Sequence, residues 1–183
     1  MKQICVFAGS SKGNNPAFVE QAKALGKAFV DQDIALIYGG AQSGLMGALA
    51  DTILESGGKV TGVMPTHLFE KEVAHTGLTE LIEVSSMHER KAKMSELADG
   101  YIALPGGFGT FEELFEVISW AQIGLHRKPL ALYNVEGYYT PLIKLIDHAI
   151  TEGFVPESNK EMILQSNRPS DLLQVMEQFR EKH

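Results

Sequence analysis

The sequence lacks most of what disulfide-bonded, membrane-spanning and nucleic-acid-binding proteins require. It has one cysteine, Cys5, so no disulfide can form within the chain. No apolar run approaches the ~20 residues that cross a bilayer, and no charged leader precedes the first apolar segment. The 16 lysines and arginines are outnumbered by 23 acidic residues, and the net charge of −7 opposes binding along a nucleic-acid backbone. These absences predict a cytoplasmic protein with neither a membrane nor a nucleic-acid polymer as its partner.

The motifs of several large enzyme classes are missing as well. The chain has no G-x-G-x-x-G fingerprint and no G-x-x-x-x-G-K-[ST] loop, so neither a typical NAD site nor a P-loop NTPase is indicated. The six histidines are scattered without metal-ligand spacing, and no G-x-S-x-G elbow marks a serine nucleophile. We therefore expect a site that uses neither a metal nor a bound cofactor.

Apolar runs typical of buried strands alternate with segments of helical periodicity along nearly the whole chain. Its 183 residues suit one domain, residues 1–183. The alternation predicts an α/β fold, in which a parallel sheet carries helices on both faces. Strands are predicted at residues 2–8, 34–38, 59–63, 80–84, 101–104 and 129–133. Helices are predicted between them, among these residues 110–125 and 138–152, and a last one over 170–182.

Four loops follow strands at the carboxyl edge of this sheet, where ligands of open α/β sheets bind. They are residues 9–14, 39–44, 85–90 and 105–110. The last of them places three glycines between a strand and a helix. Glycines let backbone N–H groups approach an anion, and a helix N-terminus adds partial positive charge. We interpret this loop as a phosphate cradle, although tight turn geometry alone is the alternative for each glycine turn.

Two acids, Glu112 and Glu113, stand near the start of the helix that follows the cradle. At about 100° per residue, Leu114 and Val117 define the core face, Glu113 lies at its rim and Glu112 lies on the solvent side. Glu113 is therefore expected to point across the strand ends, and Glu112 to stabilise the helix dipole. The alternative is that both acids only stabilise the dipole.

Arg90 shares its helical azimuth with Met94 and Leu97, so it is expected to project inward at the carboxyl edge of the sheet. An arginine in that position favours an anionic or planar partner. A structural ion pair is the alternative interpretation.

Two motifs carry a resemblance to a known family. The P-G-G-x-G-T-x-x-E signature of the LONELY GUY family of cytokinin riboside 5′-monophosphate phosphoribohydrolases matches Pro105–Glu113, and the family's second signature matches Met87–Lys91. The similarity spans nearly the whole chain. It implies a Rossmann-like homodimer that cleaves the N-glycosidic bond of a nucleoside 5′-monophosphate, releasing an adenine-type base and ribose 5-phosphate.

The resemblance also implies residue roles. Arg90 and Glu113 resemble the catalytic pair, Lys91 resembles a substrate contact, and Glu72 is in register with a substrate-contacting glutamate. With the glycine turns included, the candidate substrate-binding residues are Gly9, Ser10, Gly39, Gly40, Glu72, Lys91, Gly106, Gly107, Phe108, Gly109 and Thr110.

Glycosidic cleavage suits the predicted arrangement. The bond breaks through an oxocarbenium-like transition state, and a carboxylate near the sugar stabilises that charge and helps to deprotonate water. Arg90 is expected either to bind the phosphate or to orient Glu113. A non-enzymatic carrier of a phosphorylated cofactor is the alternative on the same fold, and a nicotinamide-dependent oxidoreductase is disfavoured by the missing fingerprint. The family's frequent label of lysine decarboxylase is disfavoured too, because nothing in the sequence specifies a pyridoxal-phosphate site.

Overall fold

A computed structural model describes residues 1–68 and 74–183, and these residues form one sheet of seven strands. Every pair of neighbouring strands is parallel, and the order across the sheet is β4-β3-β2-β1-β5-β6-β7. The strands are β1 (Gln3–Phe7), β2 (Ala35–Tyr38), β3 (Val60–Pro65), β4 (Glu80–Val84), β5 (Gly100–Ala103), β6 (Leu130–Tyr133) and β7 (Ile163–Ser166).

Helices fill the connections between the strands. They are α1 (Ala17–Asp31), α2 (Gly44–Glu55), α3 (Met87–Leu97), α4 (Phe108–Gln122), α5 (Thr140–Thr151) and α6 (Pro169–Lys182). Short 3-10 helices lie at Thr66–Leu68, Val135–Gly137 and Glu157–Met162. Among the described residues, no helix is long and apolar enough to cross a bilayer.

Alternating side chains of β1 enter two separate cores, one on each face of the sheet. Ile4 and Val6 pack in the core formed with α1, α2 and α6, and Cys5 and Phe7 pack in the core formed with α3 and α4. This alternation follows from the two-residue period of a strand. The predicted parallel sheet with helices on both faces is confirmed, and Cys5, the one cysteine of the chain, is fully buried in the second of these cores.

One strand was not predicted, and one helix was predicted two to three residues too late. The unpredicted strand is β7, whose Ile-Leu-Gln-Ser sequence at the sheet edge is only partly buried and therefore shows no continuous apolar run. The helix is α4, predicted over 110–125, which spans Phe108–Gln122. The reason is that Gly107 serves as the N-cap, so Phe108 and Gly109 belong to the first turn.

The strand order creates a crevice between β1 and β5. These neighbours pair through Cys5 and Tyr101, but the chain leaves β1 towards β2 and leaves β5 towards β6, on opposite sides. The connections diverge there, and such a switch point is where open α/β sheets bind ligands. The loops after the two strands are joined by a hydrogen bond of 3.0 Å from the Gly9 N–H to the Pro105 carbonyl.

Candidate active site

A cleft of about 240 Å³ opens at this switch point, and residues from all four of the predicted loops line it, those of the 85–90 segment lying at the start of α3. It brings together most of the residues that the sequence analysis selected. The predicted residues at its wall are Gly9, Ser10, Gly39, Arg90, Gly107, Phe108, Gly109, Thr110 and Glu113. Met46 and Met87, for which no role was predicted, also line the cleft, and so does Glu112, which was predicted to lie on the solvent side. Met46 lies in the first turn of α2, directly after the glycine turn, and Met87 belongs to the Met87–Lys91 motif, and these positions were the available signal.

The start of α3 is fixed by its own side chains. Ser86 is the N-cap, and its hydroxyl accepts a hydrogen bond of 3.2 Å from the Glu89 N–H. The Glu89 carboxylate in turn accepts bonds of 2.7 Å from the backbone N–H and the hydroxyl of Ser85, and these bonds lower its pKa. This arrangement is a variant of the capping box. It sets the rotation of α3 and therefore the direction of Arg90 in the next position.

Arg90 points inward, as predicted, and is only 5% exposed. Its Nε donates a hydrogen bond of 3.0 Å to the Val63 carbonyl, and Nη2 donates one of 2.8 Å to the Gly39 carbonyl. Nη1 lies 3.7 Å from the sulfur of Met87. Since a buried cation is costly unless it is hydrogen-bonded, the carbonyl groups after β2 and within β3 hold this guanidinium in the wall of the cleft.

Gly39 is required by the same contact. An alanine Cβ at this position would lie 2.0 Å from Nη2 of Arg90. Its φ is not in the left-handed region, so the backbone conformation itself does not demand glycine. The absence of a side chain is what lets the guanidinium lie against the backbone.

Glu113 lies partly buried in the second turn of α4 and lines the cleft, in agreement with its predicted direction. The interpretation of Glu112 as a dipole-stabilising residue was wrong. The helix begins at Phe108, so no acid lies in its first turn. Glu112 instead forms an ion pair with Lys91 on the neighbouring helix, at 2.6 Å between Nζ and Oε1.

Lys91 is held between two carboxylates of α4. Its side chain is 12% exposed, and Nζ lies 2.6 Å from Glu112 and 2.9 Å from Glu116. Burial alone would lower the pKa of the amine, but the hydrogen bonds to the two glutamates outweigh it and raise the pKa above its usual value. Lys91 does not line the main cleft. The predicted substrate contact of Lys91 therefore stays a prediction.

The glycines of the cradle divide into two kinds. Gly106 is a packing glycine, because a Cβ there would lie 2.1 Å from Oγ1 of the buried Thr110. Gly107 and Gly109 have open space, with nothing within 4 Å of an added Cβ. Phe108 between them is 92% exposed. The first turn of α4 therefore presents its backbone to the cleft without side-chain cover, as an anion site requires.

A second cleft of about 250 Å³ shares Gly9, Ser10 and Gly107 with the first. The Tyr138 hydroxyl in its wall donates a hydrogen bond to the Gly106 carbonyl. Gly40, whose carbonyl accepts a bond of 2.9 Å from the His75 N–H, lines neither cleft. Glu72 lies outside the described residues.

Cys5 lies behind the cleft and lines a small cavity that Glu113 and Lys91 also line. Burial raises the pKa of its thiol well above the usual value, and the negative charge of Glu113 acts in the same direction. A protonated buried thiol is a poor nucleophile. This supports a core role for Cys5.

Comparison with known proteins matches the chain over its full length. A family described as "Possible lysine decarboxylase" matches residues 46–176. The cytokinin riboside 5′-monophosphate phosphoribohydrolase LOG2 of Arabidopsis thaliana is 44% identical over 182 residues, which cover 100% of this chain and 85% of that protein. The rice enzyme of the same name, LOG (Oryza sativa subsp. japonica), is 44% identical over 178 residues, which cover 97% of this chain and 74% of that protein. The chain belongs to the LONELY GUY family.

Solved structures extend the likeness of fold beyond the LONELY GUY family. The X-ray structure of TM1055 superposes with a TM-score of 0.73 at 20% identity, covering 97% of this chain and 99% of that one. The molybdenum cofactor carrier protein of Chlamydomonas reinhardtii superposes with a TM-score of 0.71 at 16% identity, covering 98% of both chains. At these identities the comparison establishes the fold alone.

The decarboxylase description of the LONELY GUY family finds no support in the cleft. Pyridoxal-phosphate chemistry requires a lysine amine that can form a Schiff base. No lysine is found among the described residues that line the main cleft. The nearby Lys91 is held in two ion pairs that raise its pKa, whereas a Schiff-base lysine needs a lowered one.

Proposed function

We propose that this LONELY GUY protein hydrolyses the N-glycosidic bond of adenine-type nucleoside 5′-monophosphates, namely AMP, N6-modified cytokinin nucleotides or both. The products are the free base and ribose 5-phosphate. The observation that carries the proposal is the shared cleft of the buried Arg90, Glu113 and the uncovered glycines of α4. The whole-length identity of 44% to phosphoribohydrolases supports the same reaction. We take residues 1–183 as one nucleotide-monophosphate-binding domain.

The phosphate binds at the first turn of α4 in this proposal. Backbone N–H groups of a helix start point out along the axis and carry partial positive charge. The open positions at Gly107 and Gly109 leave room for phosphate oxygens against the backbone. The bound phosphate then places the ribose over the second turn of the same helix. Such positioning contributes several kcal/mol to catalysis, about 7 or more in favourable cases.

Glu113 stands in that second turn. As the glycosidic bond breaks, positive charge develops on the ribose, and a carboxylate beside it stabilises that charge. The same carboxylate accepts a proton from the attacking water as the new C–O bond forms. The leaving base takes a proton from solvent as it departs, Glu113 returns the proton that it accepted from water to solvent, and the water oxygen becomes the hydroxyl of ribose 5-phosphate.

Arg90 supplies a fixed positive charge in the wall of the cleft. Its two carbonyl contacts hold the guanidinium in one orientation, and the third nitrogen, Nη1, lies beside Met87 at the cleft. In this proposal the cation, which lines the same cleft as Glu113, orients the carboxylate of that residue. It is the second member of the catalytic pair.

We further propose that the enzyme works in the cytoplasm as a homodimer. Support for the dimer comes from exposed apolar side chains on and after α4 and on and after α5, which a second copy would cover. They are Phe115, Ile123, Leu125, Leu145 and Phe154.

The reaction is tested by incubating the protein with AMP or with isopentenyladenosine monophosphate and measuring the free base by chromatography. The Glu113→Gln variant, which keeps the size of the side chain and removes the charge, should lose about 100- to 10,000-fold in kcat. The Glu116→Gln variant is the matched control, because Glu116 lies on the same helix outside the cleft and its carboxylate is engaged by Lys91, and it should retain most of the rate. No base from either nucleotide, or an unchanged rate in Glu113→Gln, would contradict the proposal.

The alternative of a non-enzymatic cofactor carrier rests on fold alone. The molybdenum cofactor carriers that share the fold are 16–18% identical to this chain, and the phosphoribohydrolases are 43–45% identical. A carrier would retain a phosphorylated ligand through purification and release no base.

A further inference from the structure

A buried histidine outside the cleft is paired with a carboxylate on α2. His75 is 6% exposed, and its Nε2 lies 2.8 Å from Oδ1 of Asp51. Asp51 is half-exposed, so one end of the pair remains in contact with solvent. Burial raises the pKa of the nearby Tyr38 hydroxyl, and the negative charge of Asp51 acts in the same direction, which places this carboxylate beside the end of β2.

The second ring nitrogen of His75 fixes the tautomer. Nδ1 accepts a hydrogen bond of 3.0 Å from the Gly77 N–H. A backbone N–H can only donate, so Nδ1 carries no proton and Nε2 donates to the Asp51 carboxylate. Both nitrogens of the neutral ring therefore form hydrogen bonds, one with the Asp51 side chain and one with the backbone of Gly77.

The backbone at His75 is joined to the glycine turn after β2. Its N–H donates to the Gly40 carbonyl at 2.9 Å, and Ala74 forms an antiparallel bridge with Ala41. Gly40 directly follows Gly39, whose carbonyl accepts the Nη2 hydrogen bond of Arg90. A continuous series of contacts thus runs from α2 through the His75 ring and the turn to the guanidinium.

We propose that His75 and Asp51 are positioning residues that hold this turn and, through the Gly39 carbonyl, the guanidinium of Arg90. The inference rests on the proposed hydrolysis. Neither residue lines the cleft, and the phosphate cradle lies on the separate β5–α4 unit. Loss of the pair should therefore disturb the reacting geometry more than the binding of the nucleotide.

Steady-state kinetics with AMP test the inference. A displacement of about 1 Å from a mutation away from the chemistry costs roughly 100-fold, so His75→Ala should lower kcat about 10- to 100-fold with KM changed less than about twofold. His75→Asn keeps an acceptor for the Gly77 N–H in an Asx-type turn, and His75→Gln keeps a donor that reaches towards Asp51. Each should recover part of the rate. Asp51→Ala should lower kcat in the same direction.

Thr52→Ala is the matched control for a merely structural effect. Thr52 lies on the same helix with 7% exposure, and its hydroxyl donates a hydrogen bond of 2.8 Å to the Ala48 carbonyl within that helix. It should lower thermal stability without lowering kcat at a temperature where the protein stays folded. Amide hydrogen exchange of His75→Ala should rise locally at residues 39–41 and 74–77, with the sheet core unchanged.

The outcomes are separable. A wild-type protein that releases no base overturns the proposed function itself. An active wild type with unchanged kcat in His75→Ala overturns the positioning role alone. So does a His75→Ala variant whose loss matches that of Thr52→Ala, or one whose exchange at residues 39–41 stays at the wild-type rate.

Discussion

Replacing Gly39 with alanine should disable the site while leaving the sheet in place. The new Cβ would lie 2.0 Å from Nη2 of Arg90 and 3.0 Å from its Cζ, and real Cβ atoms essentially never lie within 3.0 Å of such a neighbour. The backbone at Gly39 has no left-handed φ, so alanine itself is tolerated there. The guanidinium must therefore retreat by about 1 Å, and the 2.8 Å hydrogen bond to the Gly39 carbonyl is lost.

The expected loss of activity follows from that distance. A misplacement of about 1 Å at a reacting geometry costs roughly 100-fold in rate, which corresponds to about 2.7 kcal/mol of transition-state stabilisation. The free energy of unfolding should fall by only about 1 to 3 kcal/mol, because one buried hydrogen bond to a charged group is broken. The protein should therefore remain folded at the assay temperature.

A double-mutant cycle identifies the cause. Initial rates of base release from AMP are measured for Gly39→Ala, Arg90→Ala and the double variant, with thermal unfolding of each. In the Arg90→Ala background the new Cβ meets no guanidinium, so Gly39→Ala should cost little further activity or stability. Independent, additive losses would refute the assignment of Gly39 to the holding of Arg90.

Three further predictions concern the cradle and the charged surface. Gly109→Ala should raise the free energy of unfolding by up to about 1 kcal/mol, because alanine has the higher helix propensity. It should also raise KM for AMP about tenfold, because the methyl group enters the proposed phosphate position. A KM that is unchanged or lower would contradict phosphate binding at this turn. Lys91→Met leaves two glutamates of α4 without their cation and should lower the free energy of unfolding by about 1 kcal/mol in urea titrations, whereas no loss would mean that the ion pairs are neutral to stability. Partial burial would raise the pKa of Asp99, but hydrogen bonds from the N–H groups of Lys2 and Gln3 outweigh it and hold the pKa below 3.8. Its stabilising charge is therefore present above pH 3.8 and lost as the pH falls through the lower folded-state value, so the Tm difference between wild type and Asp99→Asn should be clear at neutral pH and shrink in acid.

Much of the fold could be predicted because its signals are local. The apolar runs at β1 and β2 are nearly continuous, as strands buried on both faces require, and the four-residue spacing of Phe18 and Ala22 marks the inner face of α1. The direction of Arg90 followed from helix phase alone, since Met94 on the same azimuth is buried in the core. The prediction that the four loops lie at one edge of the sheet required only that the strands be parallel, and the strand order was not needed.

The rest could not be predicted because it depends on packing between distant segments. The pairing of Lys91 with Glu112 requires knowledge that α3 and α4 lie side by side, and helix phase within one helix does not give it. The reason for glycine at position 39 appears only when Arg90 from another helix is placed against it. The contact between His75 and Asp51 joins an irregular loop to α2, and no periodic pattern links them.

The central position of β1 has a consequence for how the protein folds. β1 pairs with β2, which is its near neighbour in the chain. It also pairs with β5, whose Tyr101 lies opposite Cys5 although a long stretch of sequence separates them. Closing such a loop costs conformational entropy before the pairing is gained, so contacts of this kind form slowly. The glycine loop after β5 meets the loop after β1 only when that pairing is complete, through the bond from Gly9 to Pro105. A partly made or partly folded chain that lacks β5 therefore has a sheet without a nucleotide site, and ligand binding reports on the pairing of β1 with β5.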